Sequence, residues 1–427
     1  MHDPLKAAQA AAAYQQEVLP SGLTVLVRPM PGYSGVHAVY ATRFGSVNQA
    51  FTLDGRLVQL PAGVAHFLEH KMFESEDGDA FAQYAKTGAN ANAFTSFDKT
   101  CYIFTATEKV DESLDVLLSM VGRPYFTEAT IAKEQGIIGQ EIKMYEDSPE
   151  WRMLVELCGC LYHSHPVRQD IAGTVESIAQ ITPQMLYDCC AAYYQPANMV
   201  LAVAGGASMQ QVLAACERAG LMQPQTPHAA VPVWPAEPEG VAAAYKELQM
   251  PVAKPCIGVG FKETPLAPGD LAGELICDIL TELVCGEMTP LYRTLYDQGL
   301  VNPEFGAETL ILDGCRCVLF TGESSEPKKV RRMLLDEIAR LRAKGVDEEL
   351  FTLCKNQLYG EMLCDLENIE ATAGGMASSH LHGHTLADEL KTLAGIQKQD
   401  VDAALQTMLR EERSAAVLIR PLKEMPQ

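Results

Sequence analysis

The chain has 427 residues, of which 48% are hydrophobic and 21% are charged. This composition excludes a mainly disordered protein and predicts roughly two to three globular domains. Acidic residues outnumber basic residues by 55 to 33, so the net charge is −22. Such a surface repels nucleic acid and anionic lipid, and no apolar run approaches the ~20 residues that a membrane span needs.

The N-terminus and the cysteines indicate the compartment. Residues 1–18 lack a basic segment followed by a long apolar stretch, so they do not predict a secretory signal peptide. The 13 cysteines include close pairs such as Cys315 and Cys317, but none has the C-x-x-C spacing of a thiolate zinc site. We interpret them as reduced thiols of a cytoplasmic protein, most of them buried.

The first half of the chain mixes strands and helices instead of alternating them strictly. Apolar periodicity and turn signals predict these elements in chain order: strands over Gly22–Val27 and Gly35–Phe44, a helix over Val64–Glu74, a strand over Ala91–Thr105, helices over Glu108–Val121 and Glu128–Tyr145, a helix beginning with a Thr182–Pro183 cap, and a strand from Asn198. This order favours an α+β fold, in which a mostly antiparallel sheet carries helices on one face, over a doubly wound parallel sheet.

A proline-rich stretch divides the chain near its middle. Five prolines lie between Met222 and Gly240. Because proline lacks the backbone N–H and restricts the residue before it, we expect an extended linker here. The predicted organisation is an N-terminal domain over 1–221, the linker over 222–240 and a C-terminal domain over 241–427.

The two halves carry similar patterns. The helix-then-strand pattern that begins at Ile181 recurs at Ile396, about half a chain length later. The strand pattern of His37–Thr42 likewise recurs at Ile257–Lys262. Since the period agrees with the position of the linker, we expect a duplicated unit, with two similar domains.

The motif with the clearest chemical meaning runs from His66 to His70 within the predicted helix over Val64–Glu74. The two histidines are spaced i and i+4, so both imidazoles leave one face of the helix and can reach one zinc ion. Glu69 lies beside them, where it can take a proton from water. The spacing is H-x-x-E-H, the inverted form of H-E-x-x-H. From the spacing alone, two surface histidines beside a solvated glutamate remain an alternative.

A catalytic zinc site needs three protein ligands and one open position, so two histidines do not complete it. The predicted helix over Glu128–Tyr145 places Glu134 and Glu141 on one face, two turns apart. Glu141 is therefore the candidate third ligand, and Glu134 is a carboxylate that can orient a histidine. On the helix pattern alone, two solvated charges remain the commoner alternative.

Three segments occur in the order found in the insulinase, or pitrilysin, family of zinc metallopeptidases, and the chain resembles that family. They are Gly63–Glu74, Gly88–Ser96 and Glu134–Glu141. The stretches Ala65–Asp79 and Asp170–Ile178 are most similar to the bacterial YmfH-like subgroup of the family. The resemblance is strong over about residues 20–205 and looser beyond them.

The resemblance implies a zinc-dependent peptidase. It implies Zn²⁺ as the cofactor, Glu69 as the general base that activates water, and Glu134 as an acidic residue near the metal. The implied zinc ligands are His66, His70 and Glu141. The implied substrate-binding edge strand contains Asn92, Ala93, Phe94 and Thr95. Because an edge strand offers unpaired N–H and C=O groups, it suits short or unfolded peptides of varied sequence.

In relatives the second half supplies an arginine and a tyrosine that help to bind substrate. In the matching stretch here the charged run of the relatives is replaced by Leu-Tyr-Asp-Gln, and the candidates are Tyr292, Arg293 and Tyr296. This departure leaves a second interpretation open, in which the chain is a non-catalytic or weakly active subunit of a heterodimeric peptide-processing complex. Relatives enclose their substrate between two two-domain units, so we expect a homodimer or a heterodimer with a related subunit.

Other candidate motifs predict less. The segment Ser379–His384 contains three histidines, but the resemblance places no metal ligand there. For the two histidines of His163–Pro166 we expect a structural or substrate-pocket role and not metal binding. The segment Gly258–Gly260 lacks the third glycine and the helix of a phosphate-binding loop. The sequence therefore predicts a single metal site per chain, in its first half.

Overall fold

The computed structural model describes residues 4–76 and 78–422, so the extreme ends of both predicted domains lie outside the described residues. Its strands are β1 (Gln15–Val18), β2 (Thr24–Pro29), β3 (Val36–Thr42), β4 (Ala50–Leu53), β5 (Arg56–Gln59), β6 (Glu74–Ser75), β7 (Gly78–Asp79), β8 (Asn90–Thr95), β9 (Thr100–Ala106), β10 (Met199–Gly205), β11 (Ala230–Pro232), β12 (Tyr245–Met250), β13 (Cys256–Lys262), β14 (Gly306–Leu312), β15 (Cys315–Glu323) and β16 (Ser414–Pro421).

Its helices are α1 (Pro4–Ala11), α2 (Val64–Met72), α3 (Ala80–Thr87), α4 (Val110–Gly122), α5 (Glu128–Glu146), α6 (Pro149–Leu161), α7 (Val175–Ile178), α8 (Pro183–Tyr193), α9 (Met209–Arg218), α10 (Leu271–Cys285), α11 (Pro290–Asp297), α12 (Pro327–Lys344), α13 (Glu348–Asp365), α14 (Ile369–His382), α15 (Leu386–Gly395) and α16 (Lys398–Thr407). Within the described part of the chain, none of these helices has the length and apolar character of a membrane span. The cytoplasmic location stays a prediction.

Contacts divide the chain into two units, and neither unit is one continuous stretch. The first contains the chain up to Ile142, then 170–233 and 362–390; the second contains 143–169, 234–361 and the residues from Lys391. This differs from the predicted continuous domains. The physical reason is that α14 buries its apolar face in the first unit, and α6 buries its face in the second. One boundary falls at 233/234, inside the predicted linker.

The first unit is built on a six-stranded sheet with the order β1-β2-β10-β3-β9-β8. Strand β10 runs parallel to β2, and every other neighbouring pair is antiparallel. Val39 and Ala41 of β3 pack against Met376 and Ala377 of α14 in one apolar cluster. Every residue of β3 and β10 is buried, so both faces of these central strands are covered. The sequence predicted helices on one face of the sheet.

The second unit repeats this topology, which confirms the predicted duplication. Its five strands have the order β12-β16-β13-β15-β14, again with one parallel pair, β12 and β16, at the matching position. Gly258 and Gly260 lie in β13, directly beneath α6. A Cβ atom at Gly258 would lie 2.5 Å from the sulfur of Met153. These glycines therefore permit close helix-to-sheet packing and have no phosphate-binding role.

Most predicted elements of the first half are confirmed to within a few residues, but the single strand predicted over Ala91–Thr105 is wrong. The chain reverses at residues 96–99, where the Ser96 N–H donates to the Lys99 carbonyl at 2.8 Å. Strands β8 and β9 then pair as a hairpin. The alternating pattern continues on both sides of the turn, so periodicity alone could not reveal the break. The hairpin makes β8 an edge strand.

The proline-rich stretch forms backbone and side-chain contacts with both units of the chain. Strand β11 pairs with β4 in the first unit. In the second unit, the Glu237 carboxylate accepts hydrogen bonds from the backbone N–H groups of His163, Ser164 and His165 at 2.7–2.9 Å. The ammonium group of Lys262, which is 3% exposed, donates to Glu237 at 2.6 Å. The stretch is therefore anchored through a buried ion pair.

We predict that Glu237→Gln lowers the free energy of unfolding by about 3 kcal/mol at pH 7, because the variant leaves the Lys262 charge buried without its counter-ion. Burial alone would raise the pKa of Glu237, but the hydrogen bonds from Lys262 and the three amides lower this pKa to about 2. The stabilisation is thus present above the ordinary glutamate pKa and is lost as the pH falls towards 2.

Denaturant unfolding of wild type and variant at pH 7 and pH 3 measures this difference. The difference between the two free energies of unfolding should be largest at pH 7 and clearly smaller at pH 3, where the unfolded chain already binds the proton. Glu239→Gln, at an exposed position two residues away, is the matched control and should unfold like wild type. A gap that does not change with pH would show that the charge of Glu237 is not what anchors the stretch.

Candidate metal centre

The start of helix α2 is fixed by a close backbone approach. Gly63 precedes the helix with φ of 91°, and a Cβ atom there would lie 2.5 Å from the Ala172 carbonyl oxygen. The Ser177 hydroxyl also donates to the Ala62 carbonyl at 2.8 Å. Only glycine adopts this conformation in so little space, so the segment around Ala172 determines where α2 begins.

Helix α2 carries the histidine motif into the interior of the first unit. His66 and Glu69 are each 7% exposed, and the His70 side chain is 24% exposed. The two imidazole rings meet edge to face, with their centroids 4.6 Å apart. The structure therefore excludes two solvated surface histidines, the alternative that the spacing left open.

Helix α5 supplies the two predicted glutamates. Its residues Glu134 and Glu141 lie on the face that meets α2. The two oxygens of Glu141 lie 3.6 Å from His66 Nε2 and 3.3 Å from His70 Nε2. Glu134 Oε1 lies 3.1 Å from His70 Nδ1. The structure thus brings together all four side chains, at the distances that a shared cation and an orienting hydrogen bond require.

The donor set fits a tetrahedral zinc ion. Zinc bonds of 2.0–2.1 Å place neighbouring ligand atoms about 3.3 Å apart, close to the separations found here. One atom from each of His66, His70 and Glu141 lies within 4.8 Å of the others, and within residues 4–76 and 78–422 no other group of three such donors does so. His66 Nδ1 is buried without a hydrogen-bond partner among the described residues. Two imidazoles and one carboxylate are also ligands that zinc prefers.

The charges of the centre are strongly coupled. Burial alone would lower the pKa of His70, but its hydrogen bonds with Glu134 and Glu141 outweigh burial and raise this pKa to about 10. Burial would raise the pKa of Glu134, but its hydrogen bond with His70 outweighs that effect and lowers it. Several carboxylates in one buried region make the centre attractive to a cation.

Glu69 stands apart from these contacts. Burial raises the pKa of its carboxyl group, while the nearby histidines oppose the shift. The Thr95 hydroxyl donates a hydrogen bond to Glu69 Oε2 at 2.9 Å. Glu69 is thus a buried carboxylate beside the three donors and bonded to strand β8, which is where a base acting on water at a metal would lie.

The four predicted strand residues lie at the edge of the six-stranded sheet. Asn92 and Phe94 are exposed, whereas Ala93 and Thr95 are half-buried and point to the other face. The Ala93 N–H donates to the Asn92 side chain at 2.9 Å. In the described part of the chain, no strand pairs with the outer edge of β8, so this edge can accept a further strand.

The three candidates of the second half lie on α11 in the second unit. Tyr292 is 8% exposed, and its hydroxyl donates to the Pro303 carbonyl at 3.4 Å. Arg293 and Tyr296 are exposed, and the Tyr296 ring stacks with that of Tyr292. Arg293 and Tyr296 can therefore reach a ligand, whereas Tyr292 has a structural contact of its own.

Three imidazoles of the two histidine-rich segments lie next to protein groups. His382 Nε2 lies 2.9 Å from the carboxylate of Asp98, and His384 Nε2 lies 2.9 Å from that of Glu389. His165 Nε2 lies 2.9 Å from the Asp313 carbonyl. These contacts give the three imidazoles protein partners, and the expectation that neither histidine-rich segment binds a metal stays a prediction.

Sequence reasoning missed two features of the centre. Lys71 is fully buried and forms an ion pair with Glu74, although it directly follows the histidine motif. The hydrogen bond from the Thr95 side chain to Glu69 was also missed, because pairing of an edge strand with a peptide involves only the backbone of Thr95. The alternation of β8, which turns Thr95 inward, was the signal that could have found it.

Comparison with known proteins places these residues in a family model. The model described as Insulinase (Peptidase family M16) matches residues 60–175, which include all four residues of the centre and Glu69. A second model, described as Peptidase M16 inactive domain, matches residues 180–358. The two matches fall largely on successive halves of the chain, as duplication predicts.

Similar proteins cover the whole chain. A Bacillus subtilis protein named as an uncharacterized zinc protease, YmfH, is 34% identical over 99% of this chain and 100% of its own length. The structure of a protein described as an M16-like peptidase, from Alicyclobacillus acidocaldarius, has a TM-score of 0.93 and 33% identity, over 96% of this chain and 98% of that one. A Helicobacter pylori protease shares the fold, with a TM-score of 0.82, 19% identity and coverage of 96% of this chain and 100% of its own. These likenesses confirm the predicted fold class.

We predict that the purified chain binds about one zinc ion, and that His66→Ala and Glu141→Ala abolish stoichiometric binding because each removes one of three ligands. Glu134→Gln should retain the site but weaken zinc binding by about 10–100-fold, because it loses the charged partner of His70. Elemental analysis and competition with a chromogenic chelator measure both effects. His382→Ala is the matched control, and loss of zinc from that variant would contradict the assignment.

Proposed function

The chain belongs to the insulinase family of M16 peptidases, and from that premise we propose that it is a zinc-dependent endopeptidase that hydrolyses short or unfolded peptides. The observation that carries the proposal is the convergence of two imidazoles and one carboxylate from helices α2 and α5, with a separate buried glutamate on the same helix as the imidazoles. A non-catalytic scaffold has no need for all four groups.

In this proposal each side chain of the centre has one task. His66, His70 and Glu141 would hold zinc, and Glu134 would orient His70 through its Nδ1 atom. When bound, zinc would lower the pKa of water and polarise the peptide carbonyl. Glu69 would accept a proton from the attacking water and later deliver it to the amine of the departing peptide. Its burial supports this role, because burial raises the pKa of its carboxyl group and so makes it a stronger base.

The edge strand suggests how the peptide would bind. The backbone of Asn92–Thr95 would pair with an extended substrate, since the outer edge of β8 has no partner strand among the described residues. Main-chain pairing is insensitive to side chains, so it supports acceptance of varied sequences. A substrate carbonyl could replace the Asn92 side chain as the acceptor of the Ala93 N–H. We also propose Arg293 and Tyr296 as further substrate contacts, and Tyr292 as their support.

We predict that Glu69→Gln lowers kcat by about 10²–10⁴-fold while the zinc content stays unchanged, because glutamine cannot accept the proton. Hydrolysis of a quenched fluorescent unstructured peptide, with metal analysis of the same samples, measures both properties. The control is Glu76→Gln, the same substitution at an exposed glutamate that follows the histidine motif in the sequence. Full activity of Glu69→Gln would refute the base assignment.

The same assay separates the proposed enzyme from the alternative of a weakly active subunit. If the zinc-loaded wild-type chain hydrolyses none of a panel of unstructured peptides, and activity appears only when a related subunit is added, the chain is a component of a heterodimeric peptidase. A chelator should abolish the activity of the wild-type chain, and added zinc should restore it.

We further propose that the chain works as a dimer, either with itself or with a related subunit, because relatives enclose substrate between two two-domain units. Light scattering after size-exclusion chromatography should give the mass of two chains, or a second subunit should copurify. A monomer whose specific activity does not change with protein concentration would contradict this prediction.

A further inference from the structure

A hydroxyl group on the edge strand holds the carboxylate that is assigned as the base. Thr95 is the last residue of β8, and its Oγ1 donates to Glu69 Oε2 at 2.9 Å. We propose that Thr95 is a positioning residue, whose side chain keeps the Glu69 carboxylate directed at the reacting water and separate from the metal ligands. The inference rests on the proposed function, and it gives Thr95 a side-chain role beyond backbone pairing with substrate.

The need for such a residue follows from the rotational freedom of Glu69. A glutamate side chain has three rotatable bonds, and Glu69 lies on the same helix as the candidate ligands His66 and His70. Among the described residues, Thr95 is the one side chain that donates a hydrogen bond to Glu69. In this proposal, the bond keeps the carboxylate from turning towards the imidazoles and entering the ligand set.

Thr95 can fix another side chain because its own position is fixed from several sides. It lies opposite Thr100 in the β8–β9 ladder. The turn that follows accepts hydrogen bonds from the backbone N–H groups of Ser46, at 3.1 Å, and Val47, at 3.0 Å. The same turn carries Asp98, which pairs with His382 of α14. The hydroxyl therefore has a rigid support on the sheet.

The contact also links substrate binding to the base. The backbone of β8 is proposed to pair with the peptide, and the last side chain of the same strand holds Glu69. Loss of the hydroxyl should leave backbone pairing and the three ligands intact, so KM and zinc content should not change. The effect should fall on kcat, because a misplaced base acts only on the chemical step.

The test compares Thr95→Val, which keeps the shape but removes the hydroxyl, with Thr95→Ser, which keeps the hydroxyl. We expect Thr95→Val to lower kcat by about 10–100-fold with unchanged KM and zinc content, and Thr95→Ser to retain most of kcat. The matched control is Thr100→Val. Thr100 is fully buried in the same hairpin, and its hydroxyl donates to the Phe44 carbonyl at 2.8 Å, away from Glu69.

Crystal structures of metal-free wild type, Thr95→Val and Thr95→Ser provide a readout that does not depend on activity. The Glu69 carboxylate should keep its position in the serine variant and move in the valine variant. Wild-type kcat in Thr95→Val, or an equal loss of kcat in Thr100→Val, would overturn the proposal. If the wild-type chain proves inactive, the proposed function fails, and the crystal structures still decide whether Thr95 positions Glu69: an unmoved carboxylate in Thr95→Val overturns the proposal.

Discussion

Two imidazoles and a carboxylate from different helices can share one cation only if the helices keep a fixed separation and rotation. Here α2 places His66 and His70 one turn apart, and α5 brings Glu141 to within 3.6 Å of both. The start of α2 is fixed by the close approach of Gly63 to Ala172. The geometry of the centre therefore depends on the loop around Ala172, which supplies none of the three candidate ligands.

The cost of this arrangement is electrostatic. Glu69, Glu134 and Glu141 gather three carboxylates in a partly buried region, which is unfavourable unless each has a partner. The His70 imidazole contacts the carboxylates of Glu134 and Glu141, and the Thr95 hydroxyl donates a hydrogen bond to Glu69. A divalent cation would relieve the remaining repulsion, so the site of the proposed chemistry would also be stabilised by binding a metal.

The sequence predicted what depends on local spacing. His66 and His70 share a face of α2, and Glu134 and Glu141 share a face of α5, as their spacing predicts. In a helix, the spacing in the sequence determines which side chains lie on one face. The duplication could be predicted because the period of the repeated patterns agrees with the position of the proline-rich stretch. The packing of α6 in the second unit and of α14 in the first could not be predicted, because it depends on contacts between residues far apart in the sequence and leaves no local signal. The turn at 96–99 was hidden within continuous alternation, so the edge strand became clear only through the resemblance and the ladder itself.

The central claim is tested most directly by the anomalous scattering of zinc in crystals of the wild-type chain, with data collected on both sides of the zinc absorption edge. The account predicts one peak about 2.0–2.2 Å from Nε2 of His66, Nε2 of His70 and a carboxylate oxygen of Glu141. Glu69 should lie outside the bonding distance. A peak elsewhere in the molecule, or a peak bonded to Glu69 in place of Glu141, would contradict the account.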